Sequence, residues 1–159
     1  RRKTMFREMR SKANMLTNEE VENILKTSPN GTLALYGENG YPYSVPVNFV
    51  YSDGKIYFHG AAEGYKLDCM KKDPHVSFSV IGKDDIAKEN FTTLFSSVIA
   101  FGTIRVIDTM EEKIPVLEAM VGKYSAEFME SGKELIRKGC GSVAYELTID
   151  HMTGKKGML

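Results

Sequence analysis

The segment from His59 to Lys66 has the residue types of an anion-binding turn. Strand-like residues end at His59, and the small residues Gly60 and Ala61 follow before a short helix. Small side chains let an anion approach the backbone N–H groups at a helix start, where the helix dipole favours negative charge. Lys66, one turn into the helix, could reach the same anion. The segment therefore outlines a phosphate site without the spacing of a P-loop. The alternative is an ordinary strand-to-helix turn with a surface lysine, which the local pattern alone favours.

Other kinds of site chemistry have little support in the sequence. His75 and His151 are expected at the surface, and no histidine pair or Cys/His cluster has the spacing of a zinc site. The chain also lacks the GxSxG and GxGxxG motifs. The 21 basic residues are balanced by 21 acidic ones, which argues against nucleic acid as the main partner, because phosphate contacts need a surplus of Lys and Arg.

Two features of the sequence concern the compartment. No apolar run approaches the roughly 20 residues of a membrane span, and no signal peptide follows the charged residues at the N-terminus. Cys69 and Cys140 form neither a disulfide framework nor a CxxC pair. We therefore expect a cytoplasmic protein with no membrane partner.

Two periodicities define the elements that would position these residues. Thr17 and Glu20 form a capping-box pattern before apolar residues at helical spacing, and Pro29 ends this first helix. From there apolar residues alternate with a period of two, which predicts strands. The expected strands are 32–35, 41–51, 56–59, 76–80, 97–107 and 143–149. Further helices are expected over 63–72, 114–124 and 128–137, with a loop over 82–95 and a basic tail after residue 149.

The turns between these strands indicate an antiparallel sheet, and closure into a barrel would remove its exposed edges. Pro42 and Pro46 cannot donate ladder hydrogen bonds, so strand 41–51 should lie at an edge or contain a bulge. Gly102 predicts a bulge or a close backbone approach. We predict an N-terminal arm over residues 1–16 and one α+β barrel domain over residues 17–159.

The same strands predict a homodimer. An edge strand with two prolines needs cover, and the apolar face of Val143, Tyr145 and Leu147 is expected to exceed what one core can bury.

Taken in order, these segments resemble the FMN-binding split-barrel superfamily, which includes pyridoxamine 5′-phosphate oxidase. The similarity spans roughly residues 17–156 and is greatest to proteins related to the NimA 5-nitroimidazole resistance reductases. It rests on GTLA at 31–34, GYPYSVPVNF at 40–49, IYFHGAAEGYKL at 56–67, DPHV at 73–76, SVIAFG at 97–102 and HMTGK at 151–155.

The resemblance implies a six-stranded antiparallel split β-barrel with peripheral helices, forming a homodimer with FMN at its interface. In such proteins the strand matching 45–48 lies along the isoalloxazine ring, and the segment matching 59–61, with Lys66, holds the phosphate. The C-terminal segment can reach a cofactor across the interface, and His59 matches a histidine proposed to be catalytic in the nitroimidazole reductases. The resemblance thus favours the phosphate site over the ordinary turn. The implied cofactor-binding residues are Val45, Pro46, Val47, Asn48, His59, Gly60, Ala61, Lys66, Ser97, Val98 and Lys155.

One departure from the family narrows the expected activity. Pyridoxamine phosphate oxidases carry a C-terminal Arg-x-His segment and a nearby Trp, whereas residues 142–152 contain no Arg and the chain has no Trp. Vitamin B6 oxidation is therefore not expected. We expect an FMN-dependent oxidoreductase that passes electrons from NAD(P)H to a small acceptor such as a nitro compound or a quinone. The alternative is a split-barrel protein that binds flavin or haem without turnover.

Overall fold

The computed structural model describes residues 6–139 and 141–157, which form a seven-stranded antiparallel sheet flanked by four α-helices. The strands lie in the order β2-β1-β5-β6-β7-β4-β3. The helices are α1 (Asn18–Thr27), α2 (Tyr65–Lys72), α3 (Met110–Tyr124) and α4 (Met129–Arg137). The strands are β1 (Gly31–Tyr36), β2 (Pro42–Val47), β3 (Val50–Ser52), β4 (Lys55–Ala61), β5 (His75–Ala87), β6 (Thr92–Ile107) and β7 (Ser142–Gly157). The predicted α+β class and antiparallel sheet are confirmed, while closure into a barrel stays a prediction.

The first helix begins as its capping pattern predicts. The Thr17 hydroxyl accepts a hydrogen bond from the Glu20 backbone N–H at 3.2 Å, and the Glu20 carboxylate accepts one from the Thr17 N–H at 2.8 Å. This capping box satisfies two N–H groups that the helix itself leaves without partners. The helix then buries Val21, Ile24 and Leu25.

The strand count differs from the predicted six because strand 41–51 is divided. The backbone of Phe49, between β2 and β3, bonds to two side chains at the end of α3 instead of to a neighbouring strand. Its N–H donates to the Tyr124 hydroxyl at 2.9 Å, and its carbonyl accepts from the Lys123 ammonium at 2.9 Å. The Tyr124 hydroxyl also lies 2.7 Å from the Pro29 carbonyl, to which it donates. The ladder is therefore interrupted at Phe49.

The part of the strand before this break is an edge strand. β2 pairs with β1 alone, so Thr32 lies opposite Pro46 and Tyr36 opposite Pro42. An edge position tolerates the missing N–H groups of the two prolines. The edge prediction is confirmed.

The predicted loop over 82–95 is wrong except at residues 88–91, which form the turn between β5 and β6, and the predicted tail after 149 is wrong because it belongs to β7. β5 and β6 pair as far as Ala87 and Thr92, and β7 pairs with β6 as far as Gly157. Most residues of 82–93 are exposed, so no buried face imposes an alternation of apolar side chains there. Backbone pairing of β5 with β6 continues through this exposed segment.

Gly102 marks a bulge, as predicted. The pairing of β6 with β7 shifts between Phe101 and Gly102: Phe101 lies opposite His151 and Gly102 opposite Ile149, so Asp150 is the extra residue. A methyl group on Gly102 would collide with the Thr148 carbonyl oxygen. The bulge therefore also requires a close backbone approach, which only glycine permits.

The core takes up apolar faces from both halves of the sheet. Phe49 is fully buried and meets Phe78 of β5 edge to face, with ring centroids 5.1 Å apart. Tyr145 and Leu147 of β7 are also fully buried in this one chain. They need no second copy to cover them, so this part of the argument for a homodimer is wrong. Within the described residues, no helix is both long and apolar enough to cross a membrane.

The predicted N-terminal arm is described from Phe6 onward, and residues 1–5 lie outside the described residues. The Leu16 N–H donates to the Gly154 carbonyl at 2.9 Å, and the Leu16 side chain is buried. The Phe6 ring stacks on His151, with centroids 4.7 Å apart. This contact leaves His151 half-buried rather than fully exposed as expected.

The Lys123 contact makes stability depend on pH. Burial lowers the pKa of Lys123 to about 8, whereas a lysine in an unfolded chain titrates near ~10.4. Between these values the unfolded chain binds the proton and the folded chain does not, so this lysine's contribution to stability rises with pH. We predict that the unfolding free energy of wild type, minus that of Lys123→Met, increases from about pH 8 to about pH 10, measured by urea unfolding.

The matched control is Lys71→Met, which removes an exposed lysine from α2. Its unfolding free energy should run parallel to that of wild type over the same range. Parallel curves for Lys123→Met as well would show that Lys123 keeps an ordinary affinity for its proton in the folded protein.

Candidate functional site

The junction between β4 and α2 has the shape of an anion cradle. Gly64 precedes the helix with φ of +130°, a conformation that L side chains rarely adopt, and no side chain caps the helix. The first turn of a helix leaves N–H groups without acceptors in the helix itself. The first intrahelical bond here runs from the Asp68 N–H to the Gly64 carbonyl at 3.1 Å. The N–H groups of Tyr65, Lys66 and Leu67 therefore stand at an open helix start.

Lys66 places a partly desolvated cation beside this helix start. Its ammonium lies 5.6 Å from the centroid of the Phe58 ring and 5.5 Å from that of Tyr145. Burial lowers the pKa of Lys66. Among the described residues it has no hydrogen bond and no ion pair, so two aromatic rings are its only charge-stabilising neighbours. Lys66 is therefore a cation for which the described part of the chain supplies no anionic partner.

Gly60 gives the ammonium its space. A methyl group at residue 60 would lie 3.3 Å from both the Lys66 nitrogen and the Tyr145 ring, which is closer than nearly all such contacts. The Tyr145 ring cannot easily withdraw, because its hydroxyl donates to the Ala61 carbonyl at 3.0 Å. Gly60 thus leaves open the space beside the Lys66 ammonium that a larger residue would crowd.

His59 precedes Gly60 on β4, but its side chain shares the strand face of Tyr57 and not the face of Phe58 and Gly60 that borders Lys66. It is exposed and lies opposite Ala144 in the pairing of β4 with β7. Within residues 6–139 and 141–157 its imidazole has no hydrogen-bond partner. It can therefore hydrogen-bond a ligand or exchange a proton with one.

The predicted β2 segment adjoins the cradle through the aromatic residues Tyr43 and Tyr65. The Tyr65 ring packs edge-on against Tyr43, with centroids 4.9 Å apart, and its hydroxyl accepts from the Glu38 N–H at 2.9 Å. Further along β2, Val45 and Val47 are half-buried and Pro46 is exposed. Sequence reasoning missed Tyr43 and Tyr65 as site residues. The available signals were the shared strand face of Tyr43 with Val45 and Val47, and the position of Tyr65 directly before Lys66.

Asn48 follows β2, and a hydrogen bond to the loop after α1 fixes its side chain. Its side-chain amide donates to the Pro29 carbonyl at 2.9 Å, the same carbonyl that the Tyr124 hydroxyl contacts. The side chain is exposed. This hydrogen bond fixes the Asn48 amide group, while the rest of the side chain is accessible to a ligand.

Ser97, Val98 and Lys155 form a separate group. Ser97 lies opposite Lys155 in the pairing of β6 with β7. The Val98 side chain is fully buried, so only its backbone could contact a cofactor. His59 lies level with Ile107, because both pair with Ala144. Ile107 and Ser97 are ten positions apart, which is roughly 30 Å along a strand. Within one chain the predicted residues therefore form two groups.

The chain is similar to one known protein family and to several solved structures. The family model described as pyridoxamine 5′-phosphate oxidase matches residues 17–156. No curated protein matches the chain. The solved structures that share its fold at 20% to 22% identity include the following three.

The first is described as a 5-nitroimidazole antibiotic resistance protein from Bacteroides thetaiotaomicron (21% identity, TM-score 0.77, covering 89% of this chain and 86% of that chain). The second is a FAD-binding protein from Mesorhizobium loti (22%, 0.63, covering 91% and 97%). The third is a FAD and heme binding protein from Mycobacterium smegmatis (20%, 0.73, covering 90% and 72%). Because the family model covers nearly the whole domain, and these structures share its fold, the chain belongs to the pyridoxamine 5′-phosphate oxidase family.

Proposed function

We propose that the protein binds FMN, with the phosphate at the β4–α2 junction, and acts as an NAD(P)H-dependent oxidoreductase on a small acceptor such as a nitro compound or a quinone. The observation that carries this proposal is Lys66: a partly buried ammonium beside an open helix start, with no anionic partner among the described residues. Because the two cysteines suggest a reducing environment, we place this activity in the cytoplasm.

The residues at the junction fit a phosphate. A phosphate would supply the charge that Lys66 lacks and would accept hydrogen bonds from the backbone N–H groups of the first turn. Gly60 keeps the space beside the ammonium clear. The nearby carboxylates of Glu63 and Asp68 are both exposed, so water screens their repulsion of an anion.

Two other observations support a flavin as the bearer of that phosphate. Solved relatives of the same fold are described as FAD-binding. The exposed Pro46 and Asn48 on the β2 side leave room for a planar ring system, next to half-buried Val45 and Val47. A bound flavin supplies hydride and electron transfer, and the chain supplies its placement and surroundings. The absence of Arg in 142–152 and of Trp argues against a vitamin B6 substrate.

His59 is the residue that we assign to proton transfer. Its exposed imidazole has no partner among the described residues and extends from the residue before Gly60, on the face of β4 opposite to Lys66. Reduction of a nitro group or a quinone requires protons as well as electrons, and a histidine can supply one near neutral pH.

One prediction from the proposed function concerns the affinity of Lys66→Ala for FMN. If the ammonium meets the phosphate, one charge-assisted contact of about 1.5–3 kcal/mol is lost. FMN should then bind about tenfold to a hundredfold more weakly, while riboflavin, which has no phosphate, should bind as it does to wild type. Both dissociation constants can be measured by quenching of flavin fluorescence.

The control is Lys72→Ala, which removes an exposed lysine from the same helix. It should leave both affinities unchanged. Equal losses of FMN and riboflavin affinity in Lys66→Ala would show that this lysine does not contact the phosphate.

The second prediction concerns His59→Gln. The amide can still donate a hydrogen bond, so FMN binding should be largely retained, while acceptor reduction at saturating FMN should fall by about 10²–10⁴. The measurement is steady-state NAD(P)H oxidation with a nitro compound and with a quinone. Full activity of the variant once saturated with FMN would restrict His59 to binding.

We also propose that the cofactor site is shared between two copies of the chain. One flavin cannot contact both Lys66 and Lys155 of the same chain if the strands hold these groups roughly 30 Å apart. Ile81 and Ile99 support a partner surface, since they are 65% and 45% exposed on neighbouring strands near Ser97.

A mixing experiment tests the shared site. In a homodimer of Lys66→Ala or of Lys155→Ala, both sites lack one lysine. In a mixed dimer of the two variants, one site combines the intact Lys66 of one chain with the intact Lys155 of the other. We predict that refolding the variants together restores high-affinity FMN binding to about half of the mixed dimers' sites. No restoration, or a monomer in sedimentation of the FMN-bound protein, would contradict the shared site.

The second candidate function is cofactor binding without turnover. It is favoured by the relative described as a FAD and heme binding protein. The absorption spectrum of the purified protein separates flavin from haem, because haem alone gives a dominant Soret band. Bound flavin with no NAD(P)H oxidation by any acceptor would favour this second function.

A further inference from the structure

A cleft of about 550 Å³ lies apart from the cradle, at the bulge between β6 and β7. None of the residues assigned above to the cofactor lines it. Its walls come from the N-terminal arm, from β1, β5 and β6, from the start of β2 and from the bulge of β7. The residues that matter for the argument are Phe6, Tyr36, Pro42, His75, Phe101 and Asp150.

One wall of the cleft is aromatic. Phe6 of the arm stacks on Phe101, with centroids 5.4 Å apart and planes 21° apart. The Phe6 ring also stacks on the His151 ring, and the two planes are 5° apart. Phe101 nevertheless remains 39% exposed and Tyr36 remains 64% exposed. The arm thus builds an aromatic wall whose surface is still accessible to a ligand.

Asp150 adds a negative charge to this apolar cleft. It is the extra residue of the β-bulge, and bulges redirect a side chain out of the regular alternation. Its carboxylate has neither an ion pair nor a hydrogen bond with any residue in 6–139 or 141–157. The charge is therefore available to a ligand.

The neighbouring histidine does not neutralise it. The His75 ring nitrogen Nδ1 lies 2.7 Å from the Asp73 carboxylate, which also accepts the His75 backbone N–H at 3.0 Å. These two hydrogen bonds hold the pKa of Asp73 below its usual value. His75 and Asp73 form a local pair, and Asp150 has no counter-ion among residues 6–139 and 141–157.

We propose that this cleft binds a small organic cation that carries an aromatic ring, with the ring against Phe101 and Phe6 and the ammonium group at Asp150. Apolar walls with one fixed charge are typical of small-molecule sites, and aromatic faces favour both ring stacking and cations. The proposal is independent of flavin binding and of the proposed activity.

The test uses three probes of similar size and different charge: phenethylamine, 2-phenylethanol and 3-phenylpropionate. Binding is followed by ¹H–¹⁵N chemical-shift changes of the full chain, with and without FMN. We expect changes centred on Phe101 and Asp150, and affinity for phenethylamine about fivefold above that for the alcohol, since an exposed ion pair contributes up to ~1 kcal/mol. The carboxylate should bind most weakly.

Two variants separate the roles of charge and ring. Asp150→Asn should abolish the preference for the cation and leave alcohol binding unchanged. Phe6→Ala should weaken all three probes. The matched control is Asp84→Asn, an exposed β5 carboxylate outside the cleft and without an ion pair among the described residues, which should change nothing.

Three outcomes would overturn the proposal: equal affinity for the three probes, a cation preference that survives Asp150→Asn, or no shift changes at the cleft. The last outcome, together with a dimer in sedimentation and protection of Phe101, would assign this surface to a second copy of the chain.

Discussion

The backbone of Phe49 is the constraint on which the arrangement of this sheet depends. Its N–H and carbonyl are bonded to Tyr124 and Lys123 rather than to a strand, while its side chain packs in the core against Phe78. Because a strand cannot continue through such a residue, the chain leaves the β1 side of the sheet and joins the β4 side. The two halves of the sheet are thereby tied to the end of α3, and the segment proposed to face the flavin ends at a fixed point.

The contrast between two lysines distinguishes structure from function. Lys123 and Lys66 both lie over aromatic rings, and burial lowers the pKa of each. Lys123 donates to the Phe49 carbonyl at 2.9 Å, so its ammonium has a hydrogen-bond acceptor within the fold. Lys66 has no such acceptor among the described residues. A desolvated charge is costly unless it is paired, which is why Lys66, and not Lys123, indicates a ligand.

Sequence reasoning succeeded where local chemistry decides the structure. The capping box at Thr17, the edge position of the two prolines and the bulge at Gly102 each follow from the hydrogen bonds or space that one residue type allows. It failed over 82–95 and after residue 149, where strands without a buried face carry no apolar period. The break at Phe49 was also unpredictable, because residues about 75 positions away cause it. The cradle could be outlined from its small residues, because they are neighbours in the sequence. The environment of the Lys66 charge could not be predicted, because it depends on Tyr145, which is distant in the sequence.

The long antiparallel pairing of β6 with β7 determines how the two proposed binding surfaces can coexist. Ser97 and Lys155 lie toward its far end, whereas Phe101 and Asp150 lie at its bulge. A partner that completes the cofactor site must approach Ser97 and Lys155, and exposed Ile81 and Ile99 extend that surface toward the bulge. Phe101 is only two positions from Ile99, about 7 Å along the strand. Phe101 is also only four positions from Ser97, about 13 Å along the strand, so a proposed dimer contact around Ser97 and Lys155 would border the cleft. In such a dimer, the cleft and the contact between the two copies would share neighbouring residues of β6.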